Sequence, residues 1–378
     1  REKTKFDGIY ELPMGVSYNS YVVSGPDATA IIDGSDAAHA NAYIRKLEGI
    51  LGDRKPDYII VNHAEPDHTG ALPMVRLRWP DIKVVGNAKT FDLLKGYYGI
   101  TDNLVEVKEG STISLGGDCV LQFIMTPMLH WPETMMTYLA CDGVLFSGDA
   151  FGCFGALDGA IIDDEMDDVE RYYPEAERYY ACIVAKYGLF VLKAYAKLQK
   201  IDINYICTTH GPVWHAKKTD IVELYLRMAG WNARKGVVIV YGSMYGATSK
   251  MAEELAACLV DEGVRDIRVH DVTLTPLSFI LADVMRFDSL VLISPTYNTD
   301  IYPPMESLAH ALVERGVQRR RIGLLGSYSW GGQSVRKLRE VLAPLAKDCT
   351  MLESSAEMRQ ALIDGSVADI SILAKDLK

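Results

Sequence analysis

Apolar and polar positions alternate in two different ways along the chain, and the change comes near residue 234. Before it, short β-branched and aromatic runs at 8–12, 18–23 and 28–33, with Gly25-Pro26-Asp27 as a turn, predict hairpin-like strands. A helix follows over 37–50, with Gly52 near its end. Further buried strands are expected at 57–62, 83–86, 120–125, 143–147 and 204–208, and a helical stretch at 169–200.

After a helix and linker at 219–235, strand and helix alternate regularly. Apolar runs at 236–241, 267–270, 289–294, 321–326 and 350–352 predict five strands of a parallel sheet with helices on both faces. The expected organisation is a two-domain α/β and α+β chain, with one domain over 1–233 and a doubly wound five-stranded parallel sheet over 234–378.

Composition narrows the class. The 378 residues are 49% hydrophobic and 24% charged, enough for two ordinary globular domains. A net charge of -11 with a pI near 5.3 argues against nucleic acid, whose phosphates call for clustered Lys and Arg. No apolar run reaches the ~18 residues a membrane span needs. The polar opening Arg1-Glu2-Lys3-Thr4-Lys5 lacks an apolar core, so no signal peptide is expected. Seven scattered cysteines with no Cys-x-x-Cys pair fit a reducing cytoplasm and exclude a zinc ribbon or rubredoxin-type module within these residues. Electrons, if the chemistry needs them, come from another molecule.

Candidate chemistry sits where strands end. His63, Glu65, Asp67 and His68 follow the run at 57–62; His130 follows 120–125; Asp149 follows 143–147; His210 follows 204–208. A lone His or Asp after a strand is usually a loop residue or cap. Seven at matched strand ends form four imidazoles and three carboxylates, too many for one ion. Two metals about 3.5–4 Å apart sharing a carboxylate would use them all.

The parallel half repeats the device with different residues. Ser243-Met244-Tyr245-Gly246-Ala247-Thr248 joins its first strand to a helix, offering hydroxyls and backbone N–H groups to a phosphate. Two later strands end in Pro295-Thr296-Tyr297-Asn298-Thr299 and Ser327-Tyr328-Ser329-Trp330-Gly331, in the crevice where such sheets bind ligands. Trp330 is expected to flank a flat ring.

The pattern H-x-E-x-D-H, His before Trp-Pro, Ser-Gly-Asp-Ala-Phe-Gly and Thr-His-Gly-Pro-Val-Trp resembles the flavodiiron proteins, or A-type flavoproteins. The resemblance covers nearly the whole chain and implies a metallo-β-lactamase-like αββα sandwich followed by a flavodoxin-like domain. It implies that His63, Glu65 and His130 hold the iron nearer the flavin. Asp67, His68 and His210 would hold the other, with Asp149 bridging. In some members water displaces the residue matching His68. Glu65 stands where the wider hydrolase superfamily has His, and a carboxylate there favours iron over zinc.

The acidic run Asp163-Asp164-Glu165 is a candidate partner for imidazole nitrogens turned away from metal. Tyr179 or Tyr180 is a candidate to aim a hydroxyl at the pocket, while His39, His215, His270 and His310 read as surface or structural. Only residues 12–17 stand where relatives carry a longer wall segment, so the wall and the preference between oxygen and nitric oxide stay open.

The resemblance further implies FMN and two iron ions per chain, and reduction of O2 to water, NO to nitrous oxide, or both. The donor would be rubredoxin, a reduced deazaflavin or another flavoprotein. The assembly implied is a head-to-tail homodimer or dimer of dimers. The alternative is a dizinc hydrolase with an accessory flavodoxin domain.

Overall fold

The computed structural model describes residues 4–360 and 364–378; the opening residues 1–3 of the polar stretch lie outside them. The chain forms two compact units. One comprises 1–6, 12–179 and 187–226; the other comprises 7–11, 180–186 and 227–378.

In the first unit two five-stranded sheets face each other. One has the order Tyr21–Ser24, Thr29–Ile32, Tyr58–Ile60, Lys83–Gly86, Leu104–Glu106; the other runs Tyr205–Thr208, Val144–Gly148, Met135–Leu139, Val120–Met125, Thr112–Ser114. Ile32, Ile60 and Val85 from one sheet interlock with Leu121, Phe123, Met135 and Phe146 from the other. Alternate residues of the first sheet point outward, where Ile31, Ile59 and Val84 bury Leu47, Leu72, Val75 and Leu94 of the covering helices. Every strand therefore ends at the rim of a rigid double layer.

Several sequence expectations shift. The strand Met135–Leu139 escapes the periodicity reading because all five residues are buried, leaving no alternation to detect. Leu104–Glu106 and Thr112–Ser114 are too short to declare themselves. The stretch expected as one helix at 169–200 is broken: α-helix at Tyr172–Tyr179, a π-helical turn at Tyr180–Val184, and α-helix again from Gly188–Leu198. Tyr179 and Tyr180 accordingly fall in different units.

In the second unit the parallel strands Ile267–Asp271, Arg234–Tyr241, Phe287–Tyr297, Arg321–Tyr328 and Thr350–Met351 lie in that order, second-first-third-fourth-fifth by chain position. The expected five-stranded sheet gains two short members: Asp300–Ile301, antiparallel to the third strand, and Ala356–Arg359, which pairs with the fourth beyond the fifth. Helices Ala247–Asp261 and Asp364–Leu377 share one face through Met251, Leu255, Leu259, Ile370 and Leu373. The order reverses between the first and third strands, and at that reversal their carboxyl-end loops part to leave a crevice.

Candidate metal centre and flavin crevice

A buried polar network ties the ends of two strands of the first unit to the middle of a third, Met135–Leu139. Asp33, in a left-handed conformation (φ 53), accepts from Asn62 N at 2.8 Å and from its Nδ2 at 3.0 Å, and Thr137 Oγ1 donates to Asn62 Oδ1 at 2.7 Å. From this anchor the chain turns through His63 and Glu65 into a one-turn helix, Pro66–Thr69, where proline suits the first turn and Thr69 Oγ1 donates back to Ala64 O and Glu65 O. Asp67 and His68 ride on that turn. Gly34 lets the crossing chain pass, since a Cβ there would lie 2.6 Å from His68 O.

The other donors arrive by equally local devices. Thr134 Oγ1 donates to Thr126 O and Trp131 O, closing the loop that presents His130. A bulge between Phe146 and Gly148, with Gly148 at φ 57, re-aims the end of its strand so that Asp149 points inward. His210 precedes Gly211, whose φ of 86 and closeness to Cys153 admit no side chain: a Cβ would lie 2.2 Å from Cys153 Sγ.

The four loops converge. His63, Glu65, His130 and Asp149 form one donor set, and Asp67, His68 and His210 form another. In the first, His63 Nε2 lies 3.0 Å from Glu65 Oε2 and 3.2 Å from His130 Nε2, which is 3.1 Å from Asp149 Oδ2. In the second, His210 Nε2 lies 3.4 Å from Asp67 Oδ2, and His68 Nε2 is 3.3 Å from Asp67 Oδ1. The two oxygens of Asp149 divide between the sets. Oδ2 faces His130, whereas Oδ1 lies 3.0 Å from His68 Nε2 and 3.6 Å from His210 Nε2, and accepts from Thr209 Oγ1 at 2.6 Å.

Crowding of this kind is costly without a cation among it. Both carboxylate oxygens of Asp67, both ring nitrogens of His68 and Nε2 of His210 are buried without a hydrogen bond. The field is correspondingly anionic. Burial alone would raise the Asp149 carboxyl, but His68, His130 and His210 hold it well below the ordinary range. Burial disfavours protonated His68, yet Asp67 and Asp149 push it up to about 9. Charges that draw protons onto imidazoles this strongly also draw metal ions, and a donor set of imidazoles and hard carboxylates suits iron.

Around the donors, the proposed partner run is corrected. Asp163 accepts from the backbone N–H groups of His215, Ala216 and Lys217, and Asp164 pairs with His215 Nδ1 at 2.9 Å, so neither backs a metal-facing imidazole. Glu133 does: its Oε1 lies 2.8 Å from His63 Nδ1 and accepts from Ala64 N at 2.9 Å. The sequence shows it only as a single glutamate after His130-Trp131-Pro132. His210 Nδ1 instead donates to Ser17 O at 2.8 Å, and Ser17 Oγ accepts from Gly211 N, so the short segment 12–17 does supply a wall to the site.

Tyr179 packs its ring 5.7 Å from that of His210, and its buried hydroxyl is raised well above its ordinary value by desolvation and by Asp149. His270 pairs with Asp283 and His310 is exposed; His39 packs 6.1 Å from Tyr18. None of the seven cysteines forms a disulfide.

In the second unit a crevice of about 340 Å³ is lined by Ser243, Met244, Tyr245, Gly246, Ala247, Thr248, Pro295, Thr296, Ser327, Tyr328 and Ser329. Lys250 and Gln360, which sequence reasoning missed, also line it; Tyr297, Asn298, Thr299, Trp330 and Gly331 do not. Trp330 follows directly on the lining residue Ser329 and stands 80% exposed. Helix Ala247–Asp261 opens at Gly246 (φ 88) with no side-chain cap, leaving its first-turn N–H groups to a ligand. Ser243 Oγ accepts from Gly246 N and Thr248 Oγ1 donates to Gly242 O, shaping the turn from within. Thr296 Oγ1 accepts from Gln333 N and Ser334 N, a structural duty that its place in a binding loop concealed.

Comparisons with known proteins agree with this division. Residues 16–211 match the ODP family beta lactamase, and residues 239–358 match flavodoxin. The chain is 32% identical over 333 residues to the anaerobic nitric oxide reductase flavorubredoxin of Escherichia coli K12, covering 87% of this chain and 69% of that one. Among solved structures it resembles rubredoxin oxygen:oxidoreductase from Desulfovibrio gigas, with a TM-score of 0.93 at 27% identity over 99% of this chain and 93% of that one. A variant of the flavo di-iron protein of Thermotoga maritima aligns with a TM-score of 0.89 at 29% identity, over 100% of this chain and 94% of that one. Joined donor sets on a β-lactamase-like sandwich, followed in one chain by a flavodoxin sheet, identify it as a member of the flavodiiron protein family.

Proposed function

We propose that the protein is an oxidoreductase that reduces dioxygen to water, nitric oxide to nitrous oxide, or both, using two iron ions and one FMN per chain. The observation that carries this reading is Asp149. One carboxylate turns one oxygen to each donor set, which is what a pair of ions sharing a ligand requires. Names borne by relatives, nitric oxide reductase and rubredoxin oxygen:oxidoreductase, point to the same pair of substrates.

When bound, a diferrous pair and a reduced flavin together supply the four electrons that turn dioxygen into two waters, or the two that turn two nitric oxides into nitrous oxide. The chain's own residues do the rest. His63, Glu65 and His130 would hold one iron, Asp67, His68 and His210 the other, and Asp149 would span both. Thr209 Oγ1 fixes Asp149 Oδ1 by a 2.6 Å hydrogen bond, so the shared carboxylate enters the reaction already oriented. Tyr179 places a neutral hydroxyl in the buried region of Asp149 and Asp67, where it can donate a proton-bearing contact to a small ligand without adding charge.

FMN would occupy the crevice of the second unit, its phosphate at the uncapped start of Ala247–Asp261 and its ring toward Tyr328 and Gln360. Rubredoxin, a reduced deazaflavin or another flavoprotein would deliver electrons to it. A head-to-tail homodimer, or a dimer of dimers, would let the FMN of one copy serve the irons of the other. Among the described residues, no helix is long and apolar enough to cross a membrane.

The test is anaerobic reduction followed by separate oxygen and nitric oxide challenges, with iron, zinc and flavin quantified on the same sample. Consumption of either gas in stoichiometry with donor oxidation is expected, at two irons and one FMN per chain. Two zincs and no turnover would instead indicate the dizinc hydrolase.

A further inference from the structure

The four imidazoles of the metal centre are not supported alike. His63 turns Nδ1 to the Glu133 carboxylate, at 2.8 Å. His210 turns Nδ1 to a neutral carbonyl, Ser17 O, also at 2.8 Å. His68 Nδ1 is buried without a partner. Among the described residues, His63 is the only one of the four with a carboxylate behind it.

Glu133 is held for this duty. Its Oε1 takes a second hydrogen bond from Ala64 N, its residue is 1% exposed, and its own backbone carbonyl accepts from Asn87 Nδ2 at 2.6 Å. As an ionised carboxylate Glu133 has no proton to donate, so Oε1 accepts from His63 as it does from the backbone N–H. His63 must therefore carry its proton on Nδ1 and present the Nε2 lone pair to the metal. A buried anion at that position also pulls the ring toward imidazolate, making Nε2 a stronger donor.

The first donor set thus receives two formal negative charges beyond the shared Asp149, from Glu65 directly and from Glu133 through His63. The second receives one, from Asp67, with its imidazoles backed by a carbonyl or by nothing. From this difference we infer that Glu133 is a positioning residue that makes the two metal sites unequal, concentrating ferric charge on the ion held by His63, Glu65 and His130. That iron is the harder of the two to reduce, and in the half-reduced protein it keeps the ferric state while its neighbour is ferrous. The inference rests on the diiron reading proposed above.

Glu133→Gln provides the test, because the amide oxygen can still accept from both Ala64 N–H and His63 Nδ1–H while the charge is gone. In the iron- and FMN-loaded protein, Mössbauer spectra and redox titration of the half-reduced state should show the lower midpoint potential rising and the gap between the two irons narrowing. Resistance of the first iron to chelation should fall about 10–100-fold. FMN content, a control for folding, stays at the wild-type level. Potentials and ferric signature unchanged in Glu133→Gln would overturn the inference, since a merely structural role tolerates the amide. If that variant holds no iron, Glu133→Asp decides: wild-type inequality between the sites supports the role of charge, and equal sites overturn it. A wild-type protein that takes up no iron would defeat the diiron reading itself, a separate outcome visible before any variant is made.

Discussion

The metal centre and the flavin crevice are both built at the carboxyl ends of strands, but from opposite materials. The metal centre is made of side chains: seven donors on four loops, each within 3.4 Å of another through atoms that only those residue types possess. The crevice is made largely of backbone, an uncapped helix start and turns held by small hydroxyls, in which side-chain identity matters less than the shape of the chain. A side-chain site is fragile to the loss of a functional group. A backbone site is fragile to the gain of a Cβ.

The largest expected effect is at the side-chain end. Among the described residues, Asp149→Ala removes the only one whose oxygens face both donor sets, and it takes from His68 and His130 one of the anions beside each. Iron content should fall for both sites together and gas consumption should drop to background, while FMN absorbance per chain stays unchanged. An Asp149→Ala protein that binds two irons and turns over at the wild-type rate would dissolve the contrast.

This asymmetry of materials explains what could be read from the sequence. His63, Glu65, Asp67, His68, His130, Asp149 and His210 announce themselves because metal donors are few residue types and each follows an apolar run. Glu133 does not, because its value lies in reaching one nitrogen of one imidazole, and a single glutamate in a loop carries no such mark. Charge density drew attention to Asp163-Asp164-Glu165 instead, although Asp163 spends its carboxylate on the backbone of residues 215–217. In the crevice the three loops were legible from their small and hydroxyl residues, which line it. Tyr297, Trp330 and Gly331 lie outside the lining, and Gln360 enters it from a strand end whose sequence has no binding signature. The strand Met135–Leu139 was hidden for a related reason, since uniform burial erases the alternation by which strands are recognised.

The second effect cuts across the contrast, for one backbone position is essential to the side-chain site. Gly211 adopts φ 86 directly after His210, and an added Cβ would meet Cys153 Sγ at 2.2 Å and the Cys153 backbone at 3.4 Å. Gly211→Ala should therefore cost about 2–5 kcal/mol, from left-handed strain plus overpacking. Thermal or denaturant unfolding checks the loss, and iron content shows whether His210 has been displaced. In the same region burial pushes the Cys207 thiol up to about 12, so alkylation at pH 8 should label exposed Cys141 while sparing Cys207 and buried Cys153.

At the backbone end the corresponding position is Gly246, with φ 88 at the start of helix Ala247–Asp261 and nothing nearer to a Cβ than Ser249 Oγ at 4.0 Å. Space is available, so only conformation is at stake. Gly246→Ala should retain the fold but tilt the first-turn N–H groups, and a strain of about 1–2 kcal/mol corresponds to roughly a tenfold loss of FMN affinity. Fluorescence quenching of FMN by the apoprotein measures it, and iron content should not change.

The smallest effect belongs to the one cation among the described residues that line the crevice. Lys250 lines it from the first turn of Ala247–Asp261 and has no ion-pair partner among the described residues. In the proposed site the dianionic phosphate of FMN would already meet the positive end of the helix, so an exposed ammonium adds only a screened attraction, about 0.3–1 kcal/mol. Lys250→Ala should weaken FMN binding by roughly two- to fivefold at low salt and by less at high salt, as screening shortens the reach of the charge. Riboflavin, which has no phosphate, should bind the variant and the wild-type protein equally. If Lys250→Ala weakens riboflavin as much as FMN, the side chain acts on the ring or the ribityl chain. The crevice would then depend on side-chain contacts in the way the metal centre does.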